Sequence, residues 1–172
     1  MRGRGGGRHL LYFSIQSLTF PSMTALVDAS VGIVAVDHVG IAVPDLDAAI
    51  DWYAQTLGLE ATHTETNTDQ GVREAMLHAP DDPAGAAVQL LAPLDESSTI
   101  AKFIDRNGPG LQQVAYRVTD VEAAATALRE KGVRLLYDEA RRGTADSRVN
   151  FVHPKDAGGV LVELVQPAAA AH

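Results

Sequence analysis

The strongest constraint on the fold of this chain is an internal repeat. A segment that begins at residue 35 as Ala-Val-Asp-His-Val-Gly-Ile-Ala-Val returns from residue 111 onward as Leu-Gln-Gln-Val-Ala-Tyr-Arg-Val, and each copy continues into an alanine-containing stretch. A second pair of matching segments, 88–93 and 162–167, follows at nearly the same separation. Two matches in the same order are much rarer by chance than one. The sequence therefore predicts a duplicated module.

Each copy predicts the same succession of a strand, a helix and three further strands. In the first copy, Asp45 stands at the N-cap position of the helix and Gly58 follows its last turn. The predicted ranges are strand 34–43, helix 46–57 and strands 59–66, 71–79 and 86–92, then a linking helix at about 98–107, and finally strand 111–118, helix 120–131 and strands near 133–138, 147–153 and 159–166. The fold class is therefore α+β, with tandem βαβββ modules.

The composition restricts the class of protein. The chain has 172 residues, of which 46% are hydrophobic and 21% charged, as is typical of a globular domain. Its net charge of −8 makes nucleic acid a poor partner, and no apolar stretch approaches the roughly 20 residues of a membrane span. There are no cysteines, which excludes disulfides, thiolate metal sites and cysteine nucleophiles and fits a reducing compartment.

The first residues differ in charge from the rest, because they carry arginines and no acid before Asp28. We expect residues 1–33 to be a flexible extension, with Met23 as an alternative start; a transit peptide is a second interpretation, and a secretory signal is disfavoured. Residues 34–167 are predicted to form a single domain with modules 34–93 and 111–167, and residues 168–172 a disordered tail.

The repeat aligns four polar residues that lie on otherwise apolar strands. It pairs His38 with Gln113 and Gln89 with Glu163. A buried polar group without a partner costs on the order of 1–3 kcal/mol, and one shared metal ion would satisfy all four. Taken singly, a strand histidine is more often a hydrogen-bonded core residue, and a strand Gln or Glu more often faces solvent. The equivalence under the repeat favours a metal site.

Seven segments of the chain form a distinctive set: Asp37-His-Val-Gly-Ile-Ala-Val43, Gln70-Gly-Val-Arg-Glu-Ala-Met76, Asp95-Glu-Ser-Ser98, Ile100-Ala-Lys-Phe103, Gly132-Val-Arg-Leu-Leu-Tyr-Asp-Glu139, His153-Pro-Lys155 and Gly159-Val-Leu-Val-Glu163. They resemble the motifs of the methylmalonyl-CoA epimerases, a family of the vicinal oxygen chelate (glyoxalase-like) superfamily. The resemblance spans about 34–167 and is most specific at segments 70–76 and 132–139. It implies a cupped, barrel-like mixed sheet and interconversion of the 2R and 2S forms of methylmalonyl-CoA.

The resemblance also implies the site residues. The family's ligands for one divalent metal ion fall on His38, Gln89, Gln113 and Glu163, and its two proton-handling carboxylates on Glu74 and Glu163. The family usually has His-His where this chain has Gln112-Gln113. The ligand set becomes one nitrogen and three oxygens, which favours Mn²⁺ or Mg²⁺, with Co²⁺ also suitable, over Zn²⁺.

The implied chemistry suits two carboxylates, because inverting a carbon beside a carbonyl needs a base on one face and an acid on the other. The residues that share a strand face with Glu74 are mostly apolar; the alternative for Glu74 is an ion pair with Arg73 or another basic residue. Arg141-Arg142 and Lys155 could meet CoA phosphates, but the CoA contacts stay unassigned.

We expect a cytoplasmic homodimer, or a mitochondrial matrix protein if a transit peptide is present. The rival functions are a glyoxalase I-like lyase and a metal-free binding protein of the bleomycin-resistance type. An iron dioxygenase is disfavoured, because its site of two histidines and one carboxylate needs a second histidine at a ligand position, and only His38 stands at one.

Overall fold

The computed structural model of the protein describes residues 29–169. The extension predicted for 1–33 and the tail predicted for 168–172 lie for the most part outside these residues, and both stay predictions. Within the described part, no helix is long and apolar enough to cross a membrane.

The first module has the predicted order of elements. The Asp45 carboxylate accepts from the N–H of Ala48 at the start of its helix, and Gly58 ends that helix in the left-handed conformation (φ 70°). Both predicted caps are confirmed. The elements are β1 (Ile33–Ala42), α1 (Leu46–Leu57), β2 (Glu60–Asn67), β3 (Val72–His78) and β4 (Ala87–Pro93).

The second module repeats this order after a linking helix. Asp120 caps the N-terminus of its main helix by accepting from the N–H groups of Glu122 and Ala123. The elements are α2 (Thr99–Asn107), β5 (Gly110–Val118), α3 (Val121–Glu130), β6 (Arg141–Arg142), β7 (Arg148–Val152) and β8 (Leu161–Gln166), with 3₁₀ turns at Ala29–Val31, Thr144–Asp146 and Pro154–Asp156.

The strand predicted near 133–138 is wrong. This segment makes a single antiparallel bridge, Leu135 to Val152, and a two-residue strand forms only later, at β6. The reason is the carboxamide of Asn150, which accepts from the Tyr137 N–H (3.3 Å) and donates to the Tyr137 carbonyl (3.0 Å). The Asn150 side chain thus takes the backbone groups that a ladder would use.

The strands form one mixed sheet of eight strands within residues 29–169, in the order β2-β3-β4-β1-β5-β8-β7-β6. β1 and β5 pair antiparallel at its centre, whereas β1 with β4 and β5 with β8 are parallel. The two modules are therefore related by a pseudo-twofold axis between β1 and β5, as the repeat predicts.

The sheet curls into a cup. Ala145, in the 3₁₀ turn after β6, donates its N–H to Glu65 on β2 (3.1 Å). Because β2 and β6 are the two edges of the sheet, this contact brings the edges towards each other. The predicted α+β cup of tandem βαβββ modules is confirmed.

Two of the apolar clusters lie between the outer face of the sheet and the helices α1 and α3, as strand alternation requires. On β3, Ala75 and Leu77 face Leu46 of α1, while Glu74 has the opposite orientation. In the second module, Leu164 of β8 packs against Val121 of α3. The residues that alternate with these core positions are left to line the cup.

Candidate active site

Four buried polar side chains meet on the inner face of the cup. They come from the four central strands, one from each, and each residue is at most 6% exposed: His38 on β1, Gln89 on β4, Gln113 on β5 and Glu163 on β8. The structure thus brings together all four residues predicted as metal ligands.

Hydrogen bonds join these four side chains directly. His38 Nε2 lies 3.2 Å from Glu163 Oε2. The Gln113 amide donates both to Gln89 Oε1, at 3.3 Å, and to Glu163 Oε2. The group is therefore one connected network across the boundary between the modules.

Gly40 makes room for this network. It lies opposite Gln113 in the β1–β5 ladder, and a Cβ at residue 40 would stand 2.6 Å from Gln113 Cγ. The space beside Gly40 is therefore occupied by the Gln113 side chain. Ala42, two residues further along β1, instead packs into an apolar cluster with Val72 and Leu91.

Glu74 extends the network to a second carboxylate. It is 1% exposed and accepts from Gln89 Nε2 and from the Thr144 hydroxyl, each at 2.9 Å. Burial raises the pKa of Glu74 to about 7, against the lowering effect of the Thr144 hydrogen bond and with a further increase from the nearby carboxylates.

The alternative role for Glu74, an ion pair with Arg73, is not what the structure shows. Arg73 is on the other face of β3 and makes two hydrogen bonds with the Asp47 carboxylate, at 2.7 and 2.8 Å.

Thr144 is a site residue that the sequence analysis missed. It stands 70 residues from Glu74 in the chain and reaches it because the turn after β6 crosses to the first module. The next two residues, Ala145 and Asp146, have φ values of 52° and 58°, which non-glycine residues rarely adopt. No motif in the sequence indicates this turn.

Asp37 is the second missed residue, and an irregularity in β1 explains it. The β1–β5 register shifts between Val36 and His38, so that the intervening Asp37 has no opposite residue. Such a bulge disturbs the alternation of faces. Asp37 Oδ1 consequently lies 3.0 Å from His38 Nδ1, and Oδ2 accepts from Arg117 Nε at 2.7 Å.

These contacts set the protonation of His38. Burial opposes the charged imidazole, but the hydrogen bonds and charges of Asp37 and Glu163 outweigh it and raise the pKa of His38 to about 9. In the absence of another cation, His38 is therefore the positive charge of this network at neutral pH.

The second module has an equivalent irregularity. The register shifts again where Gly40 faces Gln113 and Ile41 faces Leu111, which leaves Gln112 without an opposite residue. Gln112 occupies the position of Asp37 in the repeat. Its Oε1 is buried and has no hydrogen-bond partner.

A cavity of about 700 Å³ opens onto the network at Gln113. Arg141 and Arg142 are at its wall, and the Arg141 guanidinium lies 3.9 Å from the centre of the Tyr137 ring. Apolar side chains complete the lining: Val72, Leu91, Ile100, Leu136, Phe151 and Leu161. The cavity can therefore take a ligand with both an apolar and an anionic part.

A smaller cavity, of about 150 Å³, lies against the other part of the network. Its lining includes the polar side chains of Asp37, His38, Thr144 and Glu163. The two spaces touch different members of the network, Gln113 in one and His38 and Glu163 in the other.

The sequence of this chain is similar to those of known proteins. The model of the Glyoxalase/Bleomycin resistance protein/Dioxygenase superfamily matches residues 37–151. The Ethylmalonyl-CoA/methylmalonyl-CoA epimerase of Cereibacter sphaeroides is 41% identical over 132 residues, which cover 76% of this chain and 96% of that protein.

Solved structures agree with this relationship. The methylmalonyl-CoA epimerase of Mycobacterium tuberculosis is 59% identical, covers 83% of this chain and 93% of its own, and superposes with a TM-score of 0.78. A variant of the Streptomyces coelicolor methylmalonyl-CoA epimerase, in complex with 2-nitronate-propionyl-CoA, is 48% identical, with coverages of 80% and 100% and a TM-score of 0.76. The chain belongs to the methylmalonyl-CoA epimerase family of the Glyoxalase/Bleomycin resistance protein/Dioxygenase superfamily.

Proposed function

We propose that this protein is an epimerase that interconverts (2R)- and (2S)-methylmalonyl-CoA by moving the proton on the carbon beside the thioester. The observation that carries the proposal is the pair of buried carboxylates, Glu74 and Glu163, in one cup. They lie on β3 and β8, with the three strands β4, β1 and β5 between them. The similarity to epimerases that act on this substrate supports the same reaction here.

The chemistry requires two groups that exchange a proton with opposite faces of one carbon. We assign these roles to Glu74 and Glu163: one carboxylate accepts the α-proton, and the other carboxyl donates a proton to the opposite face of the enolate. A pKa of about 7 suits Glu74 to both directions, since general acid–base catalysis is most efficient when the pKa is near the working pH. The amide of Gln89 and the hydroxyl of Thr144 orient the Glu74 carboxylate.

We further propose that His38, Gln89, Gln113 and Glu163 hold one divalent metal ion. When bound, the ion would polarise the thioester carbonyl and stabilise negative charge on it. The side chains fit such an ion because an imidazole, a carboxylate and two carboxamides converge in one hydrogen-bonded group. Gln113 must turn its amide so that the oxygen replaces the nitrogen now facing Glu163, a rotation that the broad terminal torsion of glutamine permits.

The four proposed ligands favour an oxygen-preferring ion. They include one histidine and one carboxylate, and residues 29–169 contain no group of three or more His, Cys, Asp or Glu side chains that could hold a metal ion. Two of the four donors are neutral carboxamides, which suit Mn²⁺ or Mg²⁺, with Co²⁺ also suitable, better than Zn²⁺.

The alternatives fit the site less well. A metal-free binding protein has no need for a buried carboxylate whose pKa is near 7. A two-histidine iron site would need a second imidazole among the four convergent side chains, and His38 is the one present there. The similarity to epimerases at 41–59% identity also favours epimerisation over a glyoxalase I-like lyase.

A cytoplasmic location and a homodimer remain predictions. The exposed apolar side chains of Ile33, Val34 and Val36 support a subunit contact, because β4 pairs with β1 only from His38 onward. Light scattering of the purified protein checks the dimer, and cell fractionation checks the location.

Proton exchange in D₂O tests the proposed function. Incubation with (2R)- or (2S)-methylmalonyl-CoA and one of Mn²⁺, Mg²⁺, Co²⁺ or Zn²⁺ should replace the α-proton by deuterium and produce the other epimer. Glu74→Gln should reduce turnover by about 10²- to 10⁴-fold and leave metal content unchanged. Absence of exchange with all four ions would exclude the epimerase, and normal turnover of Glu74→Gln would remove Glu74 from the mechanism.

A further inference from the structure

The side chains of Asp37 and His38 lie on the same side of β1 although the two residues are adjacent. Neighbouring residues of a regular strand point to opposite faces. The bulge at Asp37 interrupts this alternation, so that Asp37 Oδ1 lies 3.0 Å from His38 Nδ1. Since a bulge interrupts the ladder, its presence beside a predicted metal ligand calls for a functional reason.

Arg117 fixes the position of the Asp37 carboxylate. It lies on β5, opposite Ala35, and its Nε donates to Asp37 Oδ2 at 2.7 Å while Oδ1 remains directed at His38. The Asp37 side chain is only 14% exposed, and the Arg117 guanidinium helps to compensate its charge. Both oxygens of Asp37 are thus engaged, one by each neighbour.

This arrangement selects one nitrogen of His38 for the cup. Both ring nitrogens face a carboxylate, Nδ1 that of Asp37 at 3.0 Å and Nε2 that of Glu163 at 3.2 Å. If Glu163 and Nε2 bind the proposed metal ion, Asp37 is the acceptor that is left, so the proton of the neutral imidazole stays on Nδ1. Nε2 is then the nitrogen available to the group formed by Glu163, Gln113 and Gln89. Without Asp37, the ring could rotate or carry its proton on Nε2 instead.

We propose that Asp37 and Arg117 are positioning residues that hold His38 with its proton on Nδ1 and its Nε2 directed into the cup. The inference rests on the proposed function, since it assigns these residues a role towards the proposed metal ion.

The pseudo-symmetry of the fold agrees with this role. Gln112 occupies the equivalent bulge in the second module, yet its Oε1 has no hydrogen-bond partner. The residue that follows it, Gln113, would bind a metal ion through its carboxamide oxygen and has no tautomer to select. An anchored carboxylate is therefore present in the module whose ligand is a histidine.

Three variants test the proposal. Arg117→Met removes the guanidinium, Arg117→Lys keeps the charge, and Asp37→Asn removes the ability to accept from both donors at once. Arg148→Met is the matched control, because Arg148 also pairs with a carboxylate, Glu122, but lies outside the cup. Thermal unfolding of each variant shows whether it is folded before binding is measured.

We expect the dissociation constant for Mn²⁺, measured by calorimetry, to rise about 10- to 100-fold in Arg117→Met and Asp37→Asn. Arg117→Lys should recover part of the loss, and Arg148→Met should match the wild type. In the protein loaded with Zn²⁺ or Mg²⁺, ring ¹⁵N shifts should show His38 protonated at Nδ1 in the wild type and a loss of that single form in Arg117→Met.

Two results overturn the inference while leaving the proposed function intact: unchanged Mn²⁺ affinity in both Arg117→Met and Asp37→Asn, or a His38 ring protonated at Nε2 in the loaded wild type. If Arg117→Met does not fold, the Mn²⁺ affinity and the His38 ring ¹⁵N shifts are measured in Asp37→Asn and Arg117→Lys instead, and unchanged values in both overturn the inference. A wild-type protein that binds no metal, or exchanges no α-proton, contradicts the proposed function itself.

Discussion

Glu74 shows how burial gives one side chain a chemical role. Its carboxyl is 1% exposed, and burial is the main cause that raises its pKa to about 7. Gln89 and Thr144 stabilise the charged form only in part, since each supplies one hydrogen bond. The same carboxyl that suits proton transfer should therefore destabilise the metal-free fold once it is ionised.

Because the ionised Glu74 destabilises the fold, Glu74→Gln should increase the stability of the protein, and the increase should depend on pH. The folded pKa of about 7 exceeds the ordinary value of 4.5, so the wild type loses stability as the pH rises from 4.5 to 7 and bears the full cost above 7. In the metal-free protein, Glu74→Gln should raise the free energy of unfolding at pH 8 by on the order of 1–3 kcal/mol, and by little at pH 4. Urea denaturation at both pH values checks this, with the exposed Glu60→Gln as control; an equal effect at both would contradict it.

A side chain at residue 40 should destabilise the fold, because Gln113 occupies the space next to Gly40. Gly40→Ala places a methyl group 2.6 Å from Gln113 Cγ and should destabilise the fold by about 1–3 kcal/mol and weaken Mn²⁺ binding. In a Gln113→Ala background, the same substitution should cost much less. Chemical denaturation of the four proteins in this cycle measures the coupling, and additive effects would exclude the clash.

Gln113 also predicts a change of metal preference. Gln113→His replaces a carboxamide by an imidazole and should tighten binding of Zn²⁺ more than that of Mn²⁺, because nitrogen donors favour zinc. Gln112→His, one residue away, is the control and should leave the preference unchanged. Calorimetric titration with both ions checks this prediction, and an unchanged ratio in Gln113→His argues that residue 113 is not a ligand.

At the scale of elements, the segment after α3 shows how side chains replace a strand. Arg134 donates to Asp156 from both its backbone N–H and its guanidinium, and Asn150 takes the backbone groups of Tyr137. The segment is thereby held next to β7 without a continuous ladder. Alternating apolar residues at 133–138 indicate a strand, but they do not reveal where a carboxamide will compete for the backbone.

The Arg134–Asp156 ion pair should contribute to the stability of the fold, and acid should remove this contribution. Hydrogen bonds from the guanidinium and from the backbone hold the pKa of Asp156 well below its ordinary value of 3.8. Its stabilisation is therefore present above that value and lost as the pH falls below it. Asp156→Asn should lower the unfolding midpoint at pH 6 and have a smaller effect at pH 2.5. Thermal unfolding at both pH values checks this; Asp138→Asn, on the same segment, is the control, and a constant difference would contradict the prediction.

The elements that carry the site could be located from the sequence because their patterns are local. Asp45 and Gly58 delimit α1, and the alternation of β4 assigns Gln89 to one face. Alternation does not reveal the role of Asp37, because the bulge there depends on how β1 pairs with β5, and the Arg117 that holds Asp37 is 80 residues away in the chain.

The whole molecule is organised around the boundary between its modules. β1 and β5 meet there, and each module supplies two of the four side chains proposed as ligands. A bound ion would therefore tie the modules together as well as take part in the reaction. Metal binding and global stability should be coupled.

We therefore expect a bound metal ion to stabilise the wild-type fold. This stabilisation should be lost when either module loses one of its ligands. Mn²⁺ at 100 times its dissociation constant should stabilise the wild type by about 2.7 kcal/mol. His38→Ala in the first module and Glu163→Gln in the second should each remove this gain, whereas Glu74→Gln should keep it. Thermal unfolding with and without Mn²⁺ measures the difference, and a gain that survives both ligand variants would place the ion elsewhere.

By itself, the sequence determined the duplicated βαβββ order and the four polar positions that the cup brings together, because a repeat and a two-residue period are both visible along the chain. The tertiary structure decided which further groups reach those positions. Thr144 meets Glu74 because the curled sheet brings its edges together, and Asp37 meets His38 because a bulge in the β1–β5 pairing turns it inward. Both contacts depend on strand pairing across the two modules, which no local pattern encodes.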